Sequence, residues 1–396
     1  MTVQPQMGPF LIKSEPWLWL RQQMPVTQRW AYLDHAAVAP LSLPAQSRMT
    51  AFAQEAAQDG TTVWPQWSQG VEVFRENLAQ WINASATEIA MIPNTSYGIN
   101  IVAEGYPWKQ GDNIVTFEGE FPSNRFPWEN QQTKGVQVRT VPCPGGEVSM
   151  DRIAQSIDQH TRIVAISWVG YASGFRVDLN ALTQLVHDRG ALLFVDAIQG
   201  MGVYPLDVQA TPIDFLAADG HKWMLGPEGA GFAYIRAEHL NRLRCINVGW
   251  HSVRNSADFK NAKLDLRDEA ARFEAGSANM VGLLSMAESV NLFTEIIRHH
   301  GPNAISQRVL ELTALAIDRL CDAGASVATN WDSPNRSSII VFTVPNMTPA
   351  AIRSMALKHD VVVSCRGGGV RVSIHAYNTE SDVDRLIDVV RLCQQA

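Results

Sequence analysis

Between residues 88 and 236 the chain sets out a series of short apolar runs: EIAMIP, NIVTFEG, RIVAISWV, ALLFVDAI, DFLAAD and GAGFAYIR. Helix-like stretches separate them, such as NALTQLVHDRG, which closes on a glycine as helix C-termini often do. Most of the runs are apolar at successive positions instead of alternating with polar residues. A strand of that kind is buried on both faces, and the architecture that buries both faces is a mostly parallel sheet with helices on each side. The pattern predicts an α/β domain.

Beyond about residue 275 the texture changes. Two long helical patterns, MVGLLSMAESVNLFTEIIRHH and AISQRVLELTALAIDRLCDAG, precede the strand-like SSIIVFTV, VVVSC and VRVSIHAY. A last helix, ESDVDRLIDVVRLCQQ, follows. This predicts a smaller C-terminal α+β domain. We expect an N-terminal segment, 1–30, packing on the small domain, a large α/β domain, 31–265, and the small domain, 266–396. The polar stretch around 252–270 joins the last two.

The 396 residues carry a net charge of −7. An acidic balance argues against nucleic acid and anionic membrane surfaces as partners, since both need a basic field. No apolar run approaches the roughly 20 residues of a membrane span. Pro5, Pro9, Pro16 and Pro25 interrupt the N-terminus, which lacks the features of a secretion signal. The five cysteines (143, 245, 321, 365 and 393) are scattered, with no C-x-x-C pair. These features predict a cytoplasmic enzyme without a structural zinc site.

The chemistry centres on FLAADGHKWMLGPEGAGFAY, where Lys222 stands between an apolar run and a glycine-rich turn. A lysine usually occupies a solvated face. A desolvated one loses part of its preference for the charged form and becomes an amine nucleophile. LLFVDAIQG places Asp196 at the end of a strand-like run, where ligands bind in open α/β sheets. Alone, Asp196 reads as a cap or ion-pair partner. A nucleophilic lysine with a carboxylate suits pyridoxal 5'-phosphate (PLP), which bonds to a lysine and has a ring nitrogen that a carboxylate keeps protonated. In IAMIPNTSYGIN, Asn94, Thr95 and Ser96 open a helical pattern, a helix cap by itself and a phosphate cradle in this company. Phe121 follows another strand end and suits stacking on a flat ring, although an isolated phenylalanine is more often core.

The motifs YLDHAAVAPLS, NTSYGIN, GEFPSN, VDAIQGMGVYPLDV, DFLAADGHKWMLGPEGAGFAYIR, RFEAGSANM and VRVSIHAYNTESDVDRL, spread over about residues 31–388, resemble those of class V aminotransferases. These are fold-type I PLP-dependent enzymes and include cysteine desulfurases, isopenicillin N epimerase-like proteins and kynureninases. The resemblance implies that Lys222 forms the imine with PLP and that Asp196 faces the ring nitrogen. It implies that Gln199 hydrogen-bonds the phenolic oxygen, that Thr95, Ser96 and His221 hold phosphate, and that Phe121 covers the ring. Ser277 matches a residue, usually Thr, that reaches the phosphate of a neighbouring subunit, so a homodimer with active sites at the interface is implied. Arg371 matches the arginine that grips the substrate carboxylate. Tyr171 and Asp219 depart from the Asn and Ser usual in desulfurases.

Among the remaining residues, Arg366 begins a tight glycine turn or points into the site, and Trp250 lies near the cofactor or in the core. The implied activity is PLP-dependent chemistry on a small α-amino acid, with amino transfer favoured. Cysteine desulfuration, C–S lysis and epimerisation share its first half, and a non-catalytic scaffold is the reading from another class. Desulfuration needs a mobile thiolate. Cys365, six positions before Arg371, sits on a loop shorter than desulfurases use and reads as structural.

Overall fold

The computed structural model describes residues 12–260, 262–329 and 334–395. Its strands, in chain order, are β1 (Ala31–Tyr32), β2 (Ile89–Ile92), β3 (Asn113–Phe117), β4 (Gln137–Val141), β5 (Thr161–Ser167), β6 (Leu192–Asp196) and β7 (Phe215–Asp219). They continue with β8 (Gly231–Ile235), β9 (Ser326–Val327), β10 (Ile339–Thr343), β11 (Val361–Val362), β12 (Ser364–Arg366) and β13 (Gly369–Ser373).

A seven-stranded sheet runs in the order β2-β8-β7-β6-β5-β3-β4. Only β8 is antiparallel to its neighbours, so the sheet is mixed but mostly parallel. All the apolar runs between 88 and 236 are strands of it. The strand that sequence reading missed is β4, QVRTV, whose residues are largely exposed or half-buried at the sheet edge. An edge strand has little apolar content to announce it.

The buried strand side chains divide between two cores. Leu193, Val195, Leu216 and Ala218 join Trp223, Met286 and Phe293 on one side. Ile163, Ala165, Phe194 and Ala217 meet Ile99, Val102 and Trp128 on the other. Each large apolar side chain so buried contributes about 1.5–3 kcal/mol. The helix Thr95–Gly105 lies tight on the sheet because of Gly98. A Cβ at that position would fall 2.6 Å from Ala217 Cβ and 2.8 Å from Ile92 Cδ1.

By length and composition alone, the helix Met280–His300 is long and apolar enough to cross a membrane. Its apolar positions are used otherwise. Leu283, Met286, Val290, Phe293 and Ile296 are buried in the core of the large sheet, and the helix packs along Leu43–Gln58 and Trp64–Trp81. It is a core helix.

The second sheet, β12-β13-β10-β9, is antiparallel. The run VVVSC is not one strand, as the sequence suggested. Val361 and Val362 pair in parallel with Ala31 and Tyr32, and β12 turns away to pair with β13. An isolated bridge between Asp34 and Ser373 continues this contact. It carries residues 31–38 from the small sheet to the strand ends of the large one. The helix Pro16–Gln22 sends Arg21 to Asp382 of the C-terminal helix, at 2.7 and 3.2 Å, while Leu20 and Met24 enter the core beside the large sheet.

Candidate active site

β3 has β4 on one side and β5 on the other, so the chain reverses its direction of sheet growth there. In open α/β sheets ligands bind beyond the strand C-termini near such a switch. Ser167, Asp196 and Asp219 are the last residues of β5, β6 and β7. Above them opens a cavity of about 340 Å³, lined by Thr95, Ser96, Phe121, Tyr171, Asp196, Gln199, Asp219, His221, Lys222, Arg366 and Arg371.

Lys222 leaves β7 three residues past its end and is 9% exposed. Burial pushes its ammonium down to about 8, assisted by the Arg371 charge and opposed by Asp196, Asp219 and Asp34. Its Nζ lies 5.6 Å from the centre of the Phe121 ring. Burial raises Asp196 to about 6, against the Ile198 N–H bond and the Lys222 charge. An amine and a carboxylate, both desolvated, thus face one cavity.

Asn94 caps the helix Thr95–Gly105 by accepting from Tyr97 N–H at 2.9 Å. The cap frees the next residues. Thr95 Oγ1 is buried with no hydrogen-bond partner, and Ser96 Oγ donates to Ser123 Oγ at 2.7 Å. His221 Nδ1 lies 3.1 Å from Asp219 Oδ2 without the alignment of a hydrogen bond. Unsatisfied buried donors at a helix start suit an anion.

Arg371 is 2% exposed. One guanidinium nitrogen donates to the Tyr171 carbonyl at 2.9 Å and another to Asp34 Oδ1 at 3.2 Å, while Nε has no partner. Ser364 Oγ also donates to Asp34, at 2.7 Å. A buried pair of this kind holds its geometry because an unpaired buried charge is costly. Phe121 is 43% exposed at the cavity wall and meets the Tyr171 ring edge-on, centroids 5.2 Å apart.

Three sequence candidates lie outside this cavity. Ser277 is exposed and lines a separate surface hollow of about 210 Å³ with Tyr97, Gly229 and Asn279. Trp250 is not core, contrary to that reading, and is not among the residues lining the Lys222 cavity. It is 40% exposed and packs against His251 and Phe259. Cys365 pairs in register with core-facing Val370, whereas its neighbours Ser364 and Arg366 turn to the Asp34 and cavity side. No cysteine is among the residues lining the Lys222 cavity.

Sequence reading missed Asp34, Ser123 and Glu120. Glu120 Oε1 accepts from Ser167 N–H at 2.7 Å, and Oε2 accepts from the Ser167 hydroxyl and from Asn124 at 3.0 Å. Burial pushes its carboxyl up to about 7, with the nearby Asp196 adding to the rise. Asp34 lies in YLDHAAVAPLS and Glu120 and Ser123 in GEFPSN, but what singles them out is a partner distant in sequence: Arg371, Ser167 and Ser96.

The residues present fit PLP. Thr95, Ser96, Ser123 and His221 would hold its phosphate, Asp196 its ring nitrogen, Gln199 its phenolic oxygen and Lys222 its reactive carbon. Fold and cavity together define a PLP-dependent enzyme of fold type I. The chain belongs to the class V aminotransferase family, whose model, described as Aminotransferase class-V, matches residues 31–386. A probable cysteine desulfurase of Methanothermobacter thermautotrophicus is 32% identical over 394 residues, covering 93% of this chain and 95% of that protein. A cysteine desulfurase of Salmonella agona is 28% identical over 399 residues, covering 93% and 96%. Among solved structures, the apo cysteine desulfurase of Thermococcus onnurineus superposes with a TM-score of 0.85 at 24% identity, covering 95% of this chain and 97% of that one. A cystine C–S lyase bound to cysteine persulfide gives 0.87 at 20% identity, covering 93% and 99%.

Proposed function

We propose that this enzyme removes the Cα proton of an α-amino acid that carries sulfur on Cβ, and expels that sulfur without passing it to a cysteine of its own. The observation that carries the reading is the composition of the cavity: a desolvated Lys222 amine and a pre-set Arg371, with no thiol among the lining residues. The relatives named cysteine desulfurases support a sulfur amino acid as substrate. PLP, when bound, supplies the electron sink that accepts the pair left at Cα.

Arg371 would grip the α-carboxylate through two parallel N–H donors, its orientation set by Asp34 and the Tyr171 carbonyl. Lys222 Nζ would take the Cα proton, and a pKa near 8 lets it both accept and return a proton near neutral pH. Asp196, mostly ionised above pH 6, would hold the proton on the ring nitrogen. Phe121 and Tyr171 would wall the reacting face from water. Amino transfer uses the same proton transfer by Lys222 and differs in the fate of the amino group. Incubating the holoenzyme with cysteine should release ammonia, a 2-oxo acid and hydrogen sulfide, and with cystine ammonia, a 2-oxo acid and cysteine persulfide, with no sulfur left on the protein. Amino-group passage to an added 2-oxo acid without ammonia release would overturn the reading in favour of amino transfer.

Replacing Arg371 by Lys should raise the KM for amino acids about tenfold or more, since charge-assisted hydrogen bonds contribute ~1.5–3 kcal/mol. Cofactor absorbance should not change. Equal turnover of amines lacking a carboxylate by the unaltered enzyme would contradict this role.

We also propose a homodimer in which Ser277 reaches the partner copy's phosphate site. Its exposure outside the Lys222 cavity supports this. Sedimentation should give twice the 43.7 kDa chain mass. A fully active monomer would be incompatible with it.

A further inference from the structure

A glutamine amide has an oxygen end that only accepts hydrogen bonds and a nitrogen end that only donates, so its neighbours decide which end faces a ligand. At Gln199 both neighbours are unambiguous. The indole Nε1–H of Trp223, which can only donate, reaches Gln199 Oε1 at 2.7 Å. The Ala36 carbonyl, which can only accept, takes one hydrogen of Gln199 Nε2 at 3.0 Å. One N–H of that nitrogen is left, and Gln199 lines the cavity with Asp196 and Lys222.

Trp223 is itself held. It is fully buried, and its carbonyl accepts from His375 Nε2–H at 3.0 Å. His375 Nδ1 accepts from Ala376 N–H at 2.9 Å, so the ring is the neutral Nε2–H tautomer. The two rings stack with centroids 5.9 Å apart and planes inclined by 22°. Gly202, at φ 97°, lets the turn after Gln199 close on Trp223, because a Cβ there would lie 2.4 Å from the Trp223 carbonyl oxygen. The strand bearing Arg371 and the turn bearing Lys222 are therefore linked through His375 and Trp223 to the Gln199 amide.

We propose that Trp223 is a positioning residue that clamps the Gln199 amide so that it presents an N–H, never its oxygen, to the cofactor's phenolic oxygen. This rests on the reading of Gln199 as the partner of that oxygen. An N–H donor favours the ionised form of the oxygen it meets. Without the indole only the Ala36 carbonyl holds the amide, so the turned-over form gains population, and its oxygen favours the protonated, neutral form instead. The two forms differ in colour: the ionised one contributes the visible band and the neutral one a near-ultraviolet band.

The test compares the absorbance of four holoproteins at one pH: the unaltered chain, Trp223→Phe, Gln199→Leu and the double variant. Gln199→Leu should raise the near-ultraviolet to visible ratio about two- to tenfold, the range of one neutral hydrogen bond. Trp223→Phe should raise it in the same direction, and the double variant should match Gln199→Leu alone, since the indole acts only through the amide. A spectrum of Trp223→Phe equal to the unaltered chain's, with Gln199→Leu displaced, overturns the clamp and leaves the Gln199 reading standing. An unchanged Gln199→Leu spectrum overturns that reading and the clamp with it. Additive effects in the double variant place the indole's action elsewhere and also overturn the clamp. If Trp223→Phe does not fold, β-(3-benzothienyl)alanine at 223 keeps the ring shape without the N–H, and the same comparisons apply.

Discussion

Lys222→Ala should abolish turnover of amino acids, by about a thousandfold or more, while PLP still binds through its phosphate. General acid–base catalysis alone is typically worth about 10²–10⁴ in rate, and on the proposed reading the same amine is also the covalent anchor. Cofactor capture by the unaltered apoprotein should accelerate as pH rises towards 8, because only the neutral amine has a lone pair to attack with. With its pKa lowered from 10.5 to about 8, roughly a quarter of Lys222 is neutral at pH 7.5, against about a thousandth for an ordinary lysine. Borohydride should fix the cofactor to the unaltered chain and leave it removable from the variant. Full activity in Lys222→Ala, or capture indifferent to pH between 6 and 8, would exclude this role.

Asp196→Ala should slow Cα–H cleavage by about 10²–10³, the range for removing one pre-placed electrostatic contact from a transition state. The carboxylate is 3% exposed, and its one hydrogen bond among the described residues comes from Ile198 N–H at 3.1 Å. A buried carboxylate so sparsely satisfied is costly to keep ionised. That cost would be offset by a protonated ring nitrogen held there. The proposed phosphate contacts are on the helix Thr95–Gly105 and not on β6, so cofactor affinity should fall far less than the rate. A Cα-deuterated substrate should show a larger isotope effect in the variant as proton removal becomes limiting. An unchanged rate and isotope effect would remove Asp196 from the mechanism.

Much of this arrangement was legible in the residues. A doubly buried strand is apolar at most positions, so β2, β3, β5, β6, β7 and β8 stand out as nearly continuous runs. The polar residues that end such runs, Asp196 and Asp219, stand out in turn. Lys222 is conspicuous because a lysine flanked by Trp223, Met224 and Leu225 has no reason to be there unless its amine is used. β4 was not legible, because an edge strand needs only one apolar face and QVRTV has little of even that. The break at Val363 was not legible either, since nothing within VVVSC says that its first half pairs with residues some 330 positions earlier.

The sequence by itself determined the layering, the strand ends and which polar groups stand at them, because those follow from local burial and from chemistry that each residue carries alone. Tertiary structure decided the state those groups are in. Arg371 is aimed by Asp34, 337 residues away, and by the Tyr171 carbonyl, 200 away. The Gln199 amide is turned by Trp223 from one side and Ala36 from the other. Lys222 becomes an amine near neutrality only when the small sheet, residues 31–38 and the strand ends close around it and exclude water. Cys365 and Arg366 are adjacent in the chain, yet the pleat of β12 turns Arg366 to the cavity and the thiol away from it. Which side chain faces a substrate is set by register and packing between distant segments, and no window of the sequence contains that information.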